Sequence, residues 1–211
     1  MLQTERNATM TWEVLSMIGT IAFAISGAIV AMEEEYDVLG VYILGIVTAF
    51  GGGAVRNVLI GVPVSILWQQ QTLFLIAFIA MTIVYLFPQK MLPHWQRWGN
   101  FFDALGLSAF AIQGALYAVQ MNRPLSAVIV AAVLTGSGGG MIRDVLAGRK
   151  PLVLRDEIYA VWAIVAGIAV GTGIAHSSIS LYVLFVTVAT LRILSYTYNW
   201  KLPNKSLKAG N

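Results

Sequence analysis

Cysteine is absent from all 211 residues, which excludes disulfides, thiolate metal centres and cysteine nucleophiles. Charge is scarce too: 11% of residues are charged against 58% hydrophobic, too little polar surface to coat a water-soluble globule. The two histidines, His94 and His176, stand alone in expected connections, without the i, i+4 partner or adjacent carboxylate that a metal site needs. No phosphate-binding loop, zinc-protease pair, nucleophile elbow or dinucleotide fingerprint occurs, so an enzyme is the class least supported and no cofactor is implied. A net charge of +3 does not indicate nucleic acid either, because Lys and Arg lie beside hydrophobic segments and form no stripe with interleaved aromatics. What is present is a mean hydropathy of +0.75, for which membrane lipid is the natural solvent.

A bilayer core of roughly 30 Å takes about 20 apolar residues per helix. Seven runs of that order lie at 12–32, 38–60, 72–87, 101–119, 125–147, 158–175 and 180–200. The first follows Glu5 and Arg6 without a basic leader or a cleavage site, so it reads as a span and not as a removable signal peptide. Seven crossings put the termini on opposite sides. With the N-terminus outside, the inner loops hold Lys90 and Arg97, then Arg149, Lys150 and Arg155, then Lys201, Lys205 and Lys208, while the outer segments hold only Arg6 and Arg123. That bias predicts a multi-pass protein of the inner (plasma) membrane with a cytoplasmic C-terminus. Glu33, Glu34 and Glu35 also fall inside, but acidic residues weigh little in orientation.

The chain repeats itself. Gly19-x-x-Ala22-Phe23-Ala24-Ile25-x-Gly27-Ala28 recurs 87 positions later as Gly106-x-x-Ala109-Phe110-Ala111-Ile112-x-Gly114-Ala115. At the same spacing, Gly51-Gly52-Gly53-x-x-Arg56-x-Val58-Leu59-x-Gly61 recurs as Gly138-Gly139-Gly140-x-x-Arg143-x-Val145-Leu146-x-Gly148, and Pro63 and Pro151 follow as helix stops. Two ungapped matches at one spacing indicate duplication. The copies, about 12–88 and 99–175, carry three spans each, and an odd number turns the second copy upside down. The expected fold is thus an all-α integral membrane protein, one membrane domain of two inverted three-helix repeats, with a seventh helix outside the symmetry.

Three consecutive glycines in an apolar helix each cost about 1 kcal/mol relative to alanine, and they bare the backbone. Gly51, Gly52 and Gly53, and Gly138, Gly139 and Gly140, are therefore expected to kink or unwind their helices, exposing carbonyls to a polar path; close helix packing is the alternative. Arg56 and Arg143 follow one turn on, either gating such a path or snorkelling to an interface, and Arg192 in the last span is expected to snorkel. Asp144 is next to Arg143 in sequence, though adjacent helical residues do not ordinarily face each other, and Asp103 is the other available carboxylate. Arg56 is followed by Asn57, so the first copy lacks the matching acid. Thr48 with Thr135, Ser26 with Gln113, and Ser137 are the polar candidates for a path, unless helical carbonyls satisfy them. Gly167-x-x-x-Gly171 offers a flat face for helix contact within or between subunits.

The segments GTIAFAISGAIVA…TAFGGGAVRNVLIGVP and GLSAFAIQGALYA…TGSGGGMIRDVLAGRKP resemble the two repeats of the prokaryotic trimeric intracellular cation (TRIC) channel family, across nearly the whole chain. The resemblance implies a homotrimer in membrane lipid with one path per subunit, potassium or sodium as permeant ions with potassium preferred, and second and fifth helices bent at the triplets beside the pore. It also shows two departures: Asn57 stands where the motif has Asp, and Ser16 matches Asp103, so the first repeat has lost both acids. Related bacterial sequences have carried the label of glycine transporter, which leaves three readings open. A channel passes current; a carrier for a small zwitterion such as glycine shows saturable uptake; a scaffold uses its glycines for packing alone.

Overall fold

The computed structural model describes residues 2–88, 95–154 and 158–202. The described chain is helical: α1 (Leu2–Glu33), α2 (Val38–Ile60), α3 (Gln71–Leu86), α4 (Trp95–Gln120), α5 (Leu125–Leu146), α6 (Ala160–Gly171) and α7 (Ser178–Thr197). Short 3-10 helices over Val64–Gln69 and Leu152–Leu154 precede α3 and α6. Of the sequence expectations, those on Lys90, His94, Arg155, Lys205 and Lys208 lie outside the described residues.

Local chemistry sets the helix ends. Asp37 caps α2 by accepting from the Gly40 amide at 2.8 Å, and Ser177 and Ser180 form a capping box at the start of α7. After α2 and α5 the chain turns at Gly61 and Gly148, both left-handed with φ of 76° and 69°. These glycines stop the helices, and Pro63 and Pro151, the stops expected from the sequence, come only afterwards. α1 begins well ahead of its apolar run, at Leu2, and α4 likewise starts at Trp95 and not at 101.

Among the described residues, five helices are long and apolar enough to cross a membrane: Met10–Glu33 within α1, α2, Arg97–Gln120 within α4, α5 and α7. α3 and α6 are apolar but shorter, 16 and 12 residues, or about 24 and 18 Å at the helical rise. α6 ends early because Gly173 turns left-handed with φ 77°.

α1 and α4 form the centre, with 78% and 72% of their apolar windows buried against 28% for α7. α1 packs on α2, α3 and α4; α4 packs on α1, α5, α6 and α7; α2 and α5 cross each other. Phe23 of α1 and Phe110 of α4 meet edge to face at 5.3 Å, each ring lying over a glycine of the other helix, Gly106 and Gly19. Outward positions such as Leu75, Ile83, Val145, Ile179 and Val183 stay apolar and exposed, as a lipid-facing surface requires.

The expectation that the triplets unwind their helices is not met. α2 and α5 run as continuous helix through both glycine triplets, so neither helix is broken there. With no water at membrane depth, each freed backbone group would cost several kcal/mol, more than glycine's preference for irregular backbone returns. The bare surface is spent on proximity instead: a Cβ on Gly52 would stand 2.6 Å from the Thr135 carbonyl oxygen, and one on Gly139 would run into the Thr48 carbonyl.

Candidate functional site

The α2–α5 crossing is reciprocal. Gly52 meets the backbone of Thr135 and Gly139 that of Thr48, while Gly138 approaches the Gly52 Cα, where a Cβ would stand at 3.0 Å. Gly27 and Gly114 make the same accommodation for the Thr48 and Thr135 hydroxyls. The Gly52–Thr135 and Gly139–Thr48 contacts are related by the 87-residue spacing of the repeat, as are Gly27–Thr48 and Gly114–Thr135; the Gly138–Gly52 approach has no such mate. The hydroxyls themselves bond back within their helices, Thr48 to the Leu44 carbonyl (2.6 Å), Thr135 to that of Ala131 (2.6 Å) and Ser137 to that of Val133 (2.6 Å). Gly51 packs toward Ile142, whereas Gly53 and Gly140 face the two arginines.

Arg143 is buried in a closed polar cluster. Its Nη1 donates to Asp103 Oδ1 at 2.9 Å and to Ser26 Oγ at 2.6 Å; its Nε and Nη2 reach Asp144 Oδ1 at 2.9 and 2.8 Å. The neighbours in sequence do pair, because Asp144 lies in the last turn of α5 and its side chain folds back on the arginine. The other Asp144 oxygen accepts from the Leu152 amide at 3.0 Å, fastening the loop after α5 to the cluster. Two carboxylates and a serine, from α4, α5 and α1, thus meet one buried guanidinium, while the second Asp103 oxygen has no hydrogen-bond partner among the described residues.

Arg56, 87 positions earlier, is also buried but has no carboxylate partner among the described residues. Its Nε and Nη2 both donate to Asn57 Oδ1 at 3.1 and 2.8 Å, and its Cζ stands 4.5 Å above the Tyr117 ring. Nearby, Gln113 Nε2 donates to Ser16 Oγ, whose own proton goes to the Trp12 carbonyl at 2.7 Å. A cavity of ≈ 40 Å³ opens beside the guanidinium, lined in part by Thr20, Gln113, Tyr117 and Thr135.

Neither repeat arginine snorkels, and Arg192, expected at the inner surface, is buried in α7 with its Cζ 4.5 Å above the Tyr159 ring. Thr48 packs in the crossing, Thr135 reaches the cavity, and Ser137 is buried within α5. Tyr117, Tyr159, Thr20 and Trp12 were not legible as site residues: Tyr117 has Val30 as its repeat counterpart, so a search for symmetric pairs passes over it, and Tyr159 lies just outside a helix. After the end of α5, Arg149 ties the loops together through Glu33 (2.8 Å) and Glu34 (2.5 Å). His176 pairs with the Gly173 carbonyl, 2.9 Å away in its own turn.

The chain is similar to known proteins in sequence and in fold. A family model described as glycine transporter matches residues 13–89 and again 100–174, one match on each copy. The UPF0126 membrane protein YvgT of Bacillus subtilis is 69% identical over 202 residues, 96% of this chain and 100% of that protein. Among solved structures, a prokaryotic TRIC channel crystallised in 0.5 M KCl is 35% identical with a TM-score of 0.83, covering 92% of this chain and all of that one. The TRIC orthologue of Rhodobacter sphaeroides is 28% identical with a TM-score of 0.82, covering 89% and 98%. With the duplicated crossing and nearly full-length agreement in both sequence and fold, the chain belongs to the UPF0126 membrane proteins and is a prokaryotic member of the TRIC channel family.

Proposed function

We propose that the protein is a passive cation channel, with a path through each subunit of a homotrimer and potassium preferred over sodium. The observation that carries this reading is the full-length likeness to solved TRIC cation channels, at 33% identity and a TM-score of 0.80 for one described for its conductance. The buried side chains support it. Two arginines, two aspartates and a glutamine are buried on α2, α4 and α5, and each is expensive at membrane depth unless it serves a polar purpose. The polar groups facing the path are side chains on α1, α2, α4 and α5, because the triplet carbonyls are engaged in continuous helix. Arg56 and Arg143, with Asn57, Asp144 and Asp103, set its charge; Thr48, Thr135 and Ser137 form its neutral flank.

The same proposal includes seven crossings in two inverted copies, 12–88 and 99–175, with α7 outside them. The reciprocal contacts at Gly52 and Gly139 support it. α3 and α6 then traverse the bilayer together with the 3-10 turns that precede them. The Lys and Arg distribution supports a cytoplasmic C-terminus. Pairing of Arg149 with Glu33 and Glu34 agrees, because it brings the α1–α2 and α5–α6 loops to one face.

Purified protein in planar bilayers tests the function directly: potassium carries discrete single-channel currents that exceed those in sodium, and silence at every voltage in both salts refutes a channel. The family model's name supports a second reading, a carrier for a small zwitterion. Labelled glycine taken up saturably into proteoliposomes without current would put that reading first.

A further inference from the structure

The Arg56 cluster differs from its Arg143 counterpart by what is missing from it. In the second copy Asp103 and Asp144 fill the guanidinium fork; in the first, their counterparts are Ser16 and Asn57, one too short and one uncharged. Both Arg56 bonds go to a single amide oxygen, and its Nη1 donates to no described residue. On the far wall Gln113 spends its amide nitrogen on Ser16, and its carbonyl oxygen accepts from no described residue. Arg56 and Gln113 line the same cavity, with Trp12 and Phe110 as aromatic walls.

A buried cation without a counterion is unstable at membrane depth, and a guanidinium edge with unused N–H groups is shaped for two parallel bonds to a carboxylate. The ≈ 40 Å³ cavity is small. At about 10–15 Å³ for one water it admits about three waters, or one ligand of a few non-hydrogen atoms. If such a ligand also carries an ammonium group, the Gln113 oxygen and the aromatic faces are there to receive it.

We propose that the cavity beside Arg56 is a binding site for a small carboxylate, of the size of acetate or glycine, which supplies from solution the counterion that Asp103 and Asp144 supply in the second repeat. Occupancy of the site does not require that cations pass, whereas its effect on flux rests on the channel reading. Binding neutralises the one uncompensated guanidinium at the crossing, so a bound carboxylate raises cation flux by removing a repulsive charge beside the path.

Isothermal titration of the full-length protein in detergent tests the site, using sodium acetate, glycine and methylammonium chloride as titrants. Acetate and glycine bind once per subunit and methylammonium does not; tighter binding of glycine than acetate assigns the Gln113 wall to its ammonium group, and equal binding assigns the site to simple monocarboxylates. Asn57→Asp, which gives Arg56 an internal counterion, weakens acetate by about tenfold or more, the worth of a charge-assisted hydrogen bond. Arg56→Gln and Ser16→Asp do the same by separate routes, and an unfolding temperature that does not fall in any one of the three shows that the loss is local. The proposal is overturned if neither carboxylate binds, if Asn57→Asp binds acetate as the wild type does, or if chloride displaces acetate at equal concentration, which would mean that charge alone is read. Potassium currents recorded without any carboxylate judge the channel reading separately.

Discussion

Arg56 and Arg143 occupy equivalent places in two copies of one unit, yet one faces a cavity with an amide for company and the other is clamped by two carboxylates and a serine. The backbone frame around them is the same on both sides: a glycine triplet, a reciprocal crossing and a left-handed glycine stop. Three side-chain differences, Ser16 against Asp103, Asn57 against Asp144 and Gln113 against Ser26, accompany the contrast. The repeated sequence pattern sets the two arginines in like frames, and acids present on one side alone leave Arg143 clamped and Arg56 beside a cavity.

The largest effect should come from breaking the closed side. Asp103→Ala leaves Arg143 with one carboxylate and an empty direction, and is expected to destabilise the protein by about 3 kcal/mol, as loss of a buried ion-pair partner does. Equilibrium unfolding in mixed micelles measures it, and a loss no larger than that of an exposed ion pair would show that the cluster is hydrated. Next come the glycines of the crossing. Gly139→Ala drives a Cβ into the Thr48 carbonyl and should lose about 2 kcal/mol or more through overpacking. Gly53→Ala finds its nearest neighbours at 3.8 Å and should gain up to about 1 kcal/mol from helix propensity. Equal effects of the two substitutions would mean that the triplets do not pack as described.

The comparison predicts opposite signs for one exchange. Asp144→Asn should destabilise by about 2 kcal/mol, while Asn57→Asp should stabilise by about 1 kcal/mol by giving Arg56 a charged acceptor; the two unfolding curves, read side by side, check it. Smallest is Arg149→Ala, which removes the half-exposed link to Glu33 and Glu34 and should change stability by less than about 1 kcal/mol.

Much of this was legible before any coordinates. The apolar runs located the helices to within a few residues, apart from the starts of α1 and α4 and the early end of α6. Those misses share a cause: hydropathy registers where lipid is tolerated, whereas a helix continues until a cap or a left-handed glycine such as Gly173 stops it. The arginines, their missing and present acids and the glycine triplets were also identifiable from the repeat. The conformation of the triplets was not, because glycine is compatible with both a broken helix and a close crossing, and only a partner backbone within reach decides between them.

By itself, then, the sequence determined a lipid-solvated helical chain, a duplicated unit and an acid imbalance between its halves, since all three follow from composition and spacing along one dimension. Tertiary structure decided that α2 and α5 stay continuous, that Arg143 draws its counterions from two helices at once, and that Tyr117 and Gln113 border a cavity at Arg56. Each of those depends on residues brought together from distant parts of the chain, where burial removes water as the alternative partner and makes the choice of neighbour energetically decisive.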